Sequence, residues 1–222
     1  MRKISLFIFW FWSISLWSQD SVLVTKSFKF EDGLYETFED LKSNRPNLQW
    51  AEVTATYFAN PQTLTTQVKE LILKKTEEPI AKPFYAVCIK GIPYVFIKKK
   101  DSSDSDLYGG LKIRGKIAYF SFEERRIDKV KIQAFNPLNG KPFRTGFVEK
   151  ENTYLFEKML VWDTGEQLDF TKENMLKHIA DDQPLFTSVE ELRDFEIKEK
   201  LFRCLLIYND RKKVFTFRNE EN

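Results

Sequence analysis

The sequence predicts an α+β fold: an antiparallel, hairpin-rich sheet, able to curl into a partly closed barrel, with a short N-terminal helix and two C-terminal helices packed on it. Three observations carry that prediction. Between about residues 50 and 162, short runs rich in β-branched and aromatic residues are punctuated by glycine-containing turns. Helix-start signals stand at both ends of the chain, in Thr37-Phe38-Glu39-Asp40 and in Thr171-Lys172-Glu173-Asn174. Aromatic residues make up 15% of the chain and include 21 phenylalanines, which calls for a thick apolar core or an aromatic-lined groove.

Met1 to Ser18 begins with Arg2 and Lys3 and continues as an apolar run from Ile4 to Trp17, broken by Ser13 and Ser15. That is the layout of a secretory signal peptide, with cleavage expected after Ser18. The run is shorter than the ~20 apolar residues that cross a bilayer, so no integral membrane span is expected after cleavage. No cysteine ends the segment, which disfavours a lipid anchor. The expected organisation is residues 1–18 as signal peptide and residues 19–222 as a single α+β domain, its sheet mainly in 50–162 and its helical tail in 171–210. The expected location is exported: periplasmic, outer-membrane-associated or secreted.

The leader holds two of the 35 basic residues and none of the 33 acidic ones, leaving 33 against 33. A neutral remainder gives no electrostatic reason for nucleic-acid binding. Lys98-Lys99-Lys100 is followed by Asp101, Asp104 and Asp106, and reads as a solvated loop of mixed charge. The three aspartates lack the spacing, glycine and terminal glutamate of an EF-hand.

Thr37 is expected to cap a helix from about Phe38 to Ser43, with Asp40 reciprocating and Pro46 preventing continuation. Phe38 and Leu41 share its apolar face. Trp50 to Phe58 reads as a strand. Leu64, Val68, Leu71 and Ile72 fall at helical spacing, so a helix is expected from Leu64 to Lys75, against the strand preference of Thr63, Thr65 and Thr66. Phe84–Ile89 and Ile92–Ile97 form a hairpin about Lys90-Gly91. A second unit runs from Leu111 through Arg114-Gly115 to Phe122. A third turn, Asn139-Gly140, follows Lys129–Phe135, and Asn152–Phe156 and Met159–Trp162 are expected as further strands before Asp163-Thr164-Gly165-Glu166. Thr171 caps a helix through about Ala180, ended by Asp181-Asp182-Gln183-Pro184. A long helix then starts at Thr187 or Ser188 and reaches about Tyr208, with Val189, Leu192, Phe195, Phe202, Leu205 and Leu206 on its apolar side.

The segment Gly33-Leu34-Tyr35-Glu36-Thr37-Phe38-Glu39-Asp40 resembles the start of a group of exported Bacteroidota proteins of unassigned function, in which a Gly-x-Tyr-x-Ser/Thr-Phe-Glu-Asp-like stretch opens the mature domain. Phe170-Thr171-Lys172-Glu173-Asn174, Asp181-Asp182-Gln183-Pro184 and Tyr208-Asn209-Asp210-Arg211 are similar to the tail of the same group. The resemblance implies export and a single mixed domain. It assigns no catalytic, cofactor or metal residue.

His178 is the single histidine, so any Ser-His or Cys-His mechanism must use it. Its place in the last turn of a helix accounts for it without catalysis. Cys88 and Cys204 leave one disulfide open, although their apolar settings favour free buried thiols. Two cysteines and one histidine are too few for a zinc site of four Cys/His ligands. No phosphate loop, nucleophile elbow or HExxH stretch is present. The expectation is a non-catalytic module that contacts a macromolecular partner in the envelope, without cofactor. The alternative is an apolar-ligand carrier with Tyr94, Phe96, Tyr119, Phe120 and Phe122 lining its cavity. A carboxylate-based hydrolase ranks third, since 33 acidic residues offer many pairs.

Overall fold

The computed structural model describes residues 21–99 and 105–217. The expected leader and the Asp101–Asp104 part of the acidic loop lie outside the described residues. Among the described residues, eleven strands and four helices follow one another as β1 (Ser21–Leu23), β2 (Gly33–Tyr35), α1 (Phe38–Lys42), β3 (Val53–Asn60), β4 (Thr65–Leu73), β5 (Ala86–Ile89), β6 (Ile92–Lys99), β7 (Asp106–Gly110), β8 (Ile117–Phe135), β9 (Pro142–Val161), β10 (Gln167–Asp169), α2 (Lys172–His178), α3 (Gln183–Glu190), α4 (Asp194–Arg211) and β11 (Phe215–Phe217).

The fold is mixed α+β with antiparallel sheets, one of them curled into a half-barrel. The six-stranded sheet has the order β2-β5-β6-β7-β4-β3, the three-stranded sheet β10-β9-β8, and β1 pairs with β11. Strand alternation divides the interior into three cores. On one face of the six-stranded sheet Leu34, Val53, Val68, Val87, Tyr94 and Tyr108 pack together. From its other face Tyr35, Ala86, Cys88 and Val95 meet Ala118, Phe120, Leu160 and Trp162 of the three-stranded layer. The opposite side of that layer, with Ile117, Tyr119, Met159 and Val161, is covered by Met175, Leu185, Val189, Leu201 and Leu205 of α2 to α4.

Local chemistry explains the elements that follow their sequence signals. Thr37 and Asp40 form a complete capping box at α1, and Phe38 and Leu41 are its buried pair. Lys90 and Gly91 both take positive φ, 55° and 75°, the primed-turn geometry that matches strand twist. Pro93 is the second residue of β6, close to a strand start. Thr171 caps α2 by accepting from the Asn174 N–H.

Four expectations are corrected. Leu64 to Lys75 is not a helix: Thr65–Leu73 is strand β4. Thr56 pairs with Glu70 and Tyr57 with Val68, so Lys69 is an extra residue in a bulge. The three-residue step from Val68 to Leu71 therefore arises from a two-residue strand step plus one bulged residue, which imitates helical spacing. The long C-terminal helix is two helices. Asp182 caps α3 through the Leu185 N–H, with Pro184 in the first turn where its missing N–H costs nothing. Lys172 Nζ donates to the carbonyls of Glu190 and Leu192 at 2.8 and 2.7 Å, holding the end of α3. In α4 the buried face is Leu201, Cys204, Leu205 and Tyr208, while Phe195 and Leu206 are exposed. Finally, the separate strands expected on each side of Asn139-Gly140 are continuous: β8 has 19 residues and β9 has 20. Also, Trp50–Glu52, expected as strand, is a 3-10 turn leading into β3. Both cysteines are free and buried, Cys88 and Cys204 lying in different cores.

Candidate interaction surface

The β8–β9 hairpin is the feature that the rest of the fold presents. Its base, Ile117–Phe122 with Met159–Val161, is buried between the six-stranded sheet and the helices. Beyond Phe122 the two strands stay paired from Glu123↔Leu155 to Ala134↔Arg144. This ribbon extends for about 40 Å, at ~3.3 Å per residue. β10 pairs only with Lys158–Leu160 of β9, so in the ribbon both outer backbone edges are open among the described residues.

The turn that closes the ribbon is built from asparagine. Asn136 N–H donates to the Lys141 carbonyl at 2.9 Å, and Gly140 N–H donates to the Asn136 carbonyl at 2.8 Å. The Asn136 and Asn139 side chains accept from the N–H groups of Leu138 and Lys141.

Cross-strand pairs define two faces. On one face, moving outward, stand Phe122/Phe156, Glu124/Tyr154, Arg126/Asn152, Asp128/Lys150, Val130/Val148, Ile132/Gly146 and Ala134/Arg144. The first four pairs make an ordered neck. The Phe122 and Phe156 rings stack with centroids 5.3 Å apart. The Arg126 guanidinium lies 4.9 Å from the Phe156 ring centroid and 5.8 Å from that of Tyr154. Glu124 accepts from Lys98 at 2.8 Å and from Arg126 at 3.3 Å. The Lys98 ammonium therefore holds the Glu124 carboxyl below the usual carboxylate range. Asp128 accepts from Asn152 at 2.6 Å and from the Tyr154 hydroxyl; both bonds lower its pKa, and the second raises that of Tyr154.

Beyond the neck the character changes. Phe143 is 69% exposed, Phe147 70%, and Leu138 at the turn 94%. Ile132, Phe135, Val130 and Val148 are exposed with them, and Ile127 and Leu155 are exposed on the opposite face of the neck itself. A soluble chain tolerates single exposed apolar residues, but a contiguous set carried on a projecting element marks a contact surface.

Two clefts flank the ribbon base. One of about 370 Å³ is lined by Ile97, Lys98, Phe120, Phe122, Phe156 and Lys158, among others. Another of about 510 Å³ lies between the β3–β4 turn, with Asn60 and Thr63, and Glu123, Arg125 and Thr153 of the ribbon. Of the five residues expected to line a single cavity, Phe120 and Phe122 border the smaller cleft. Tyr94 and Phe96 belong to the core on the far face of the six-stranded sheet. Tyr119 points into the helix-side core, where it donates to Glu157. His178 ends α2 and lines a separate cleft of about 350 Å³ with Lys116, Asp163, Asp181 and Tyr208. No group of three His, Cys, Asp or Glu that could hold a metal occurs among the described residues. No helix among them is long and apolar enough to cross a membrane.

The ribbon was not among the sites expected from the sequence. A signal was nonetheless present: the runs on both sides of Asn139-Gly140 remain pairable, residue against residue, back to Ile117 and Val161. Comparison with protein-family models, curated proteins and solved structures found no match.

Proposed function

We propose that this is an exported, non-catalytic envelope protein that works by contact, and that the β8–β9 ribbon is its contact element. The observation that carries the reading is the change at the neck: a packed and hydrogen-bonded base gives way to a ribbon whose large apolar residues face solvent on both sides. Open strand edges add a second mode of recognition, since an edge pairs with any extended segment presented to it. The Met1–Ser18 layout supports export, which N-terminal sequencing of the protein from its host would check.

The test is a truncation. Asp128 and Lys150 face each other directly, so Lys129–Glu149 can be replaced by Asn-Gly with the four pairs of the neck left in place. The shortened protein is expected to keep the thermal stability of its body and to lose co-fractionation with the envelope. Retained co-fractionation at the parent level would refute the reading.

A second reading rests on the smaller cleft, where Phe120 and Phe122 meet Ile97 and Phe156. Its volume of about 370 Å³ suits a small apolar ligand. Native mass spectrometry of host-derived protein would show that ligand as an added mass, and the bare chain mass would remove this reading.

A further inference from the structure

We infer that the outer end of the ribbon docks on the surface of an anionic lipid bilayer. The inference rests on the contact role proposed for β8–β9 and names its partner.

From Lys129 to Val148 the chain contains Lys129, Lys131, Lys141 and Arg144 and no Asp or Glu. All four basic residues are exposed, and none has an ion-pair partner among the described residues. Of the ribbon's acidic residues, Glu149 stands directly across from Lys129, and Glu123, Glu124, Asp128 and Glu151 are nearer the body, so only Lys131, Lys141 and Arg144 carry charge beyond that rung. The charge therefore separates along the ribbon, with a basic end farthest from the fold.

The same end carries the apolar surface. Val130, Val148, Ile132 and Ala134 share one face, with Gly146 leaving it open; Phe147 and Lys131 are opposite one another on the other face. Leu138 stands at the turn. A lipid surface needs both features together: aliphatic and phenyl groups to enter the acyl boundary, and cations to meet the headgroup phosphates. Each Lys or Arg near an anionic leaflet strengthens partition by about fivefold.

Other occupants fit less well. A second copy docked end to end would bring Lys131, Lys141 and Arg144 against the same three cations, with no acidic residue beyond the Lys129↔Glu149 rung to relieve them. Nucleic acid would satisfy the charge and could stack on Phe135, Phe143 and Phe147, but it offers no apolar phase to the exposed aliphatic groups of Leu138, Val130, Ile132 and Val148.

Vesicle flotation tests the inference, using full-length protein, neutral phosphatidylcholine vesicles, and vesicles with about one third phosphatidylglycerol. The parent is expected to float at least tenfold better with the anionic vesicles, and added salt should weaken binding. Leu138→Asp should reduce flotation tenfold or more, and Lys129→Glu with Lys131→Glu should abolish the preference for anionic vesicles. These positions are solvent-exposed, so unchanged melting temperatures are expected. The variants carry the same N-terminal segment as the parent, so the differences read the ribbon end alone.

Equal flotation of parent and variants would overturn the lipid assignment, as would tighter binding to single-stranded DNA than to anionic vesicles. If the variants float like the parent while the Lys129–Glu149 truncation still loses envelope association, the ribbon binds a protein partner instead. If the truncation loses nothing, the contact role itself fails.

Discussion

The carboxamide of Asn209 in α4 pairs with both backbone groups of Ile117 at the start of β8. Its Oδ1 accepts from the Ile117 N–H at 3.0 Å and its Nδ2 donates to the Ile117 carbonyl at 2.8 Å. A side chain thus takes the place of a neighbouring strand and fixes the last helix to the root of the ribbon. Ile117 is buried, so neither backbone group has ready access to water.

Replacing Asn209 by leucine keeps a similar volume and removes both bonds. Stranding one buried N–H and one buried carbonyl should destabilise the protein by about 2–4 kcal/mol. Urea unfolding would measure this. A loss below about 0.5 kcal/mol would show that water replaces the amide.

Gly165 takes a φ of +74° and lies against the Phe38 ring, where an added Cβ would sit 2.6 Å from Phe38 Cδ1. Phe38 is in turn packed edge-on to Tyr85 and Trp162, so the ring has little room to yield. Gly165→Ala should cost about 2 kcal/mol or more through backbone strain and overlap together. The same substitution at Gly140, with a φ of +65° but no neighbour within 4 Å, should cost about 1 kcal/mol. Thermal unfolding of the two variants separates the crowding from the strain.

The helical tail is expected to loosen first in acid. Arg211 donates to both carboxylate oxygens of Asp182 at 2.8 and 2.9 Å, and Lys212 contacts Asp181 at 2.7 Å. These cations hold both carboxyls below the usual range, with Tyr208 adding a bond to Asp181. A depressed folded-state pKa contributes stability that is complete above the unfolded value of about 4 and is lost as pH falls through the folded value. Asp182→Asn retains helix-capping ability but not the charge, so its melting temperature should fall at neutral pH and depend less on pH below about 4. An acid limb as steep as the parent's would assign the loss to other carboxylates.

Hydrogen exchange should divide β8 at Phe122. Ile117–Phe122 is enclosed by two cores, whereas the ribbon beyond it depends on one partner strand and no covering layer. Isolated two-stranded hairpins are marginal in water, so amides beyond Arg126 should exchange at least tenfold faster than those of the base. Uniform protection along β8 would mean that the ribbon is covered in solution.

The amino-acid sequence alone determined the features whose causes lie within a few residues. The Thr37/Asp40 capping box, the Lys90-Gly91 turn, the Thr171 cap and the Asn139-Gly140 reversal each need only their own neighbours, and each was readable. The mixed fold class followed from them. Tertiary structure decided what depends on distant partners. Pairing with β3 and β7 makes β4 a strand, and its bulge at Lys69 disguises the period; Lys172, eighteen residues before Glu190, holds the end of α3. The ribbon belongs to the same class. Its side chains are the kinds that fill cores, and composition assigned its aromatics to one. They are exposed because the six-stranded sheet and the helices end near Phe122; the switch to Glu123-Glu124-Arg125-Arg126 marks that point in the sequence, but the apolar residues farther out look like core residues until the layers made by other segments are seen to stop short of them.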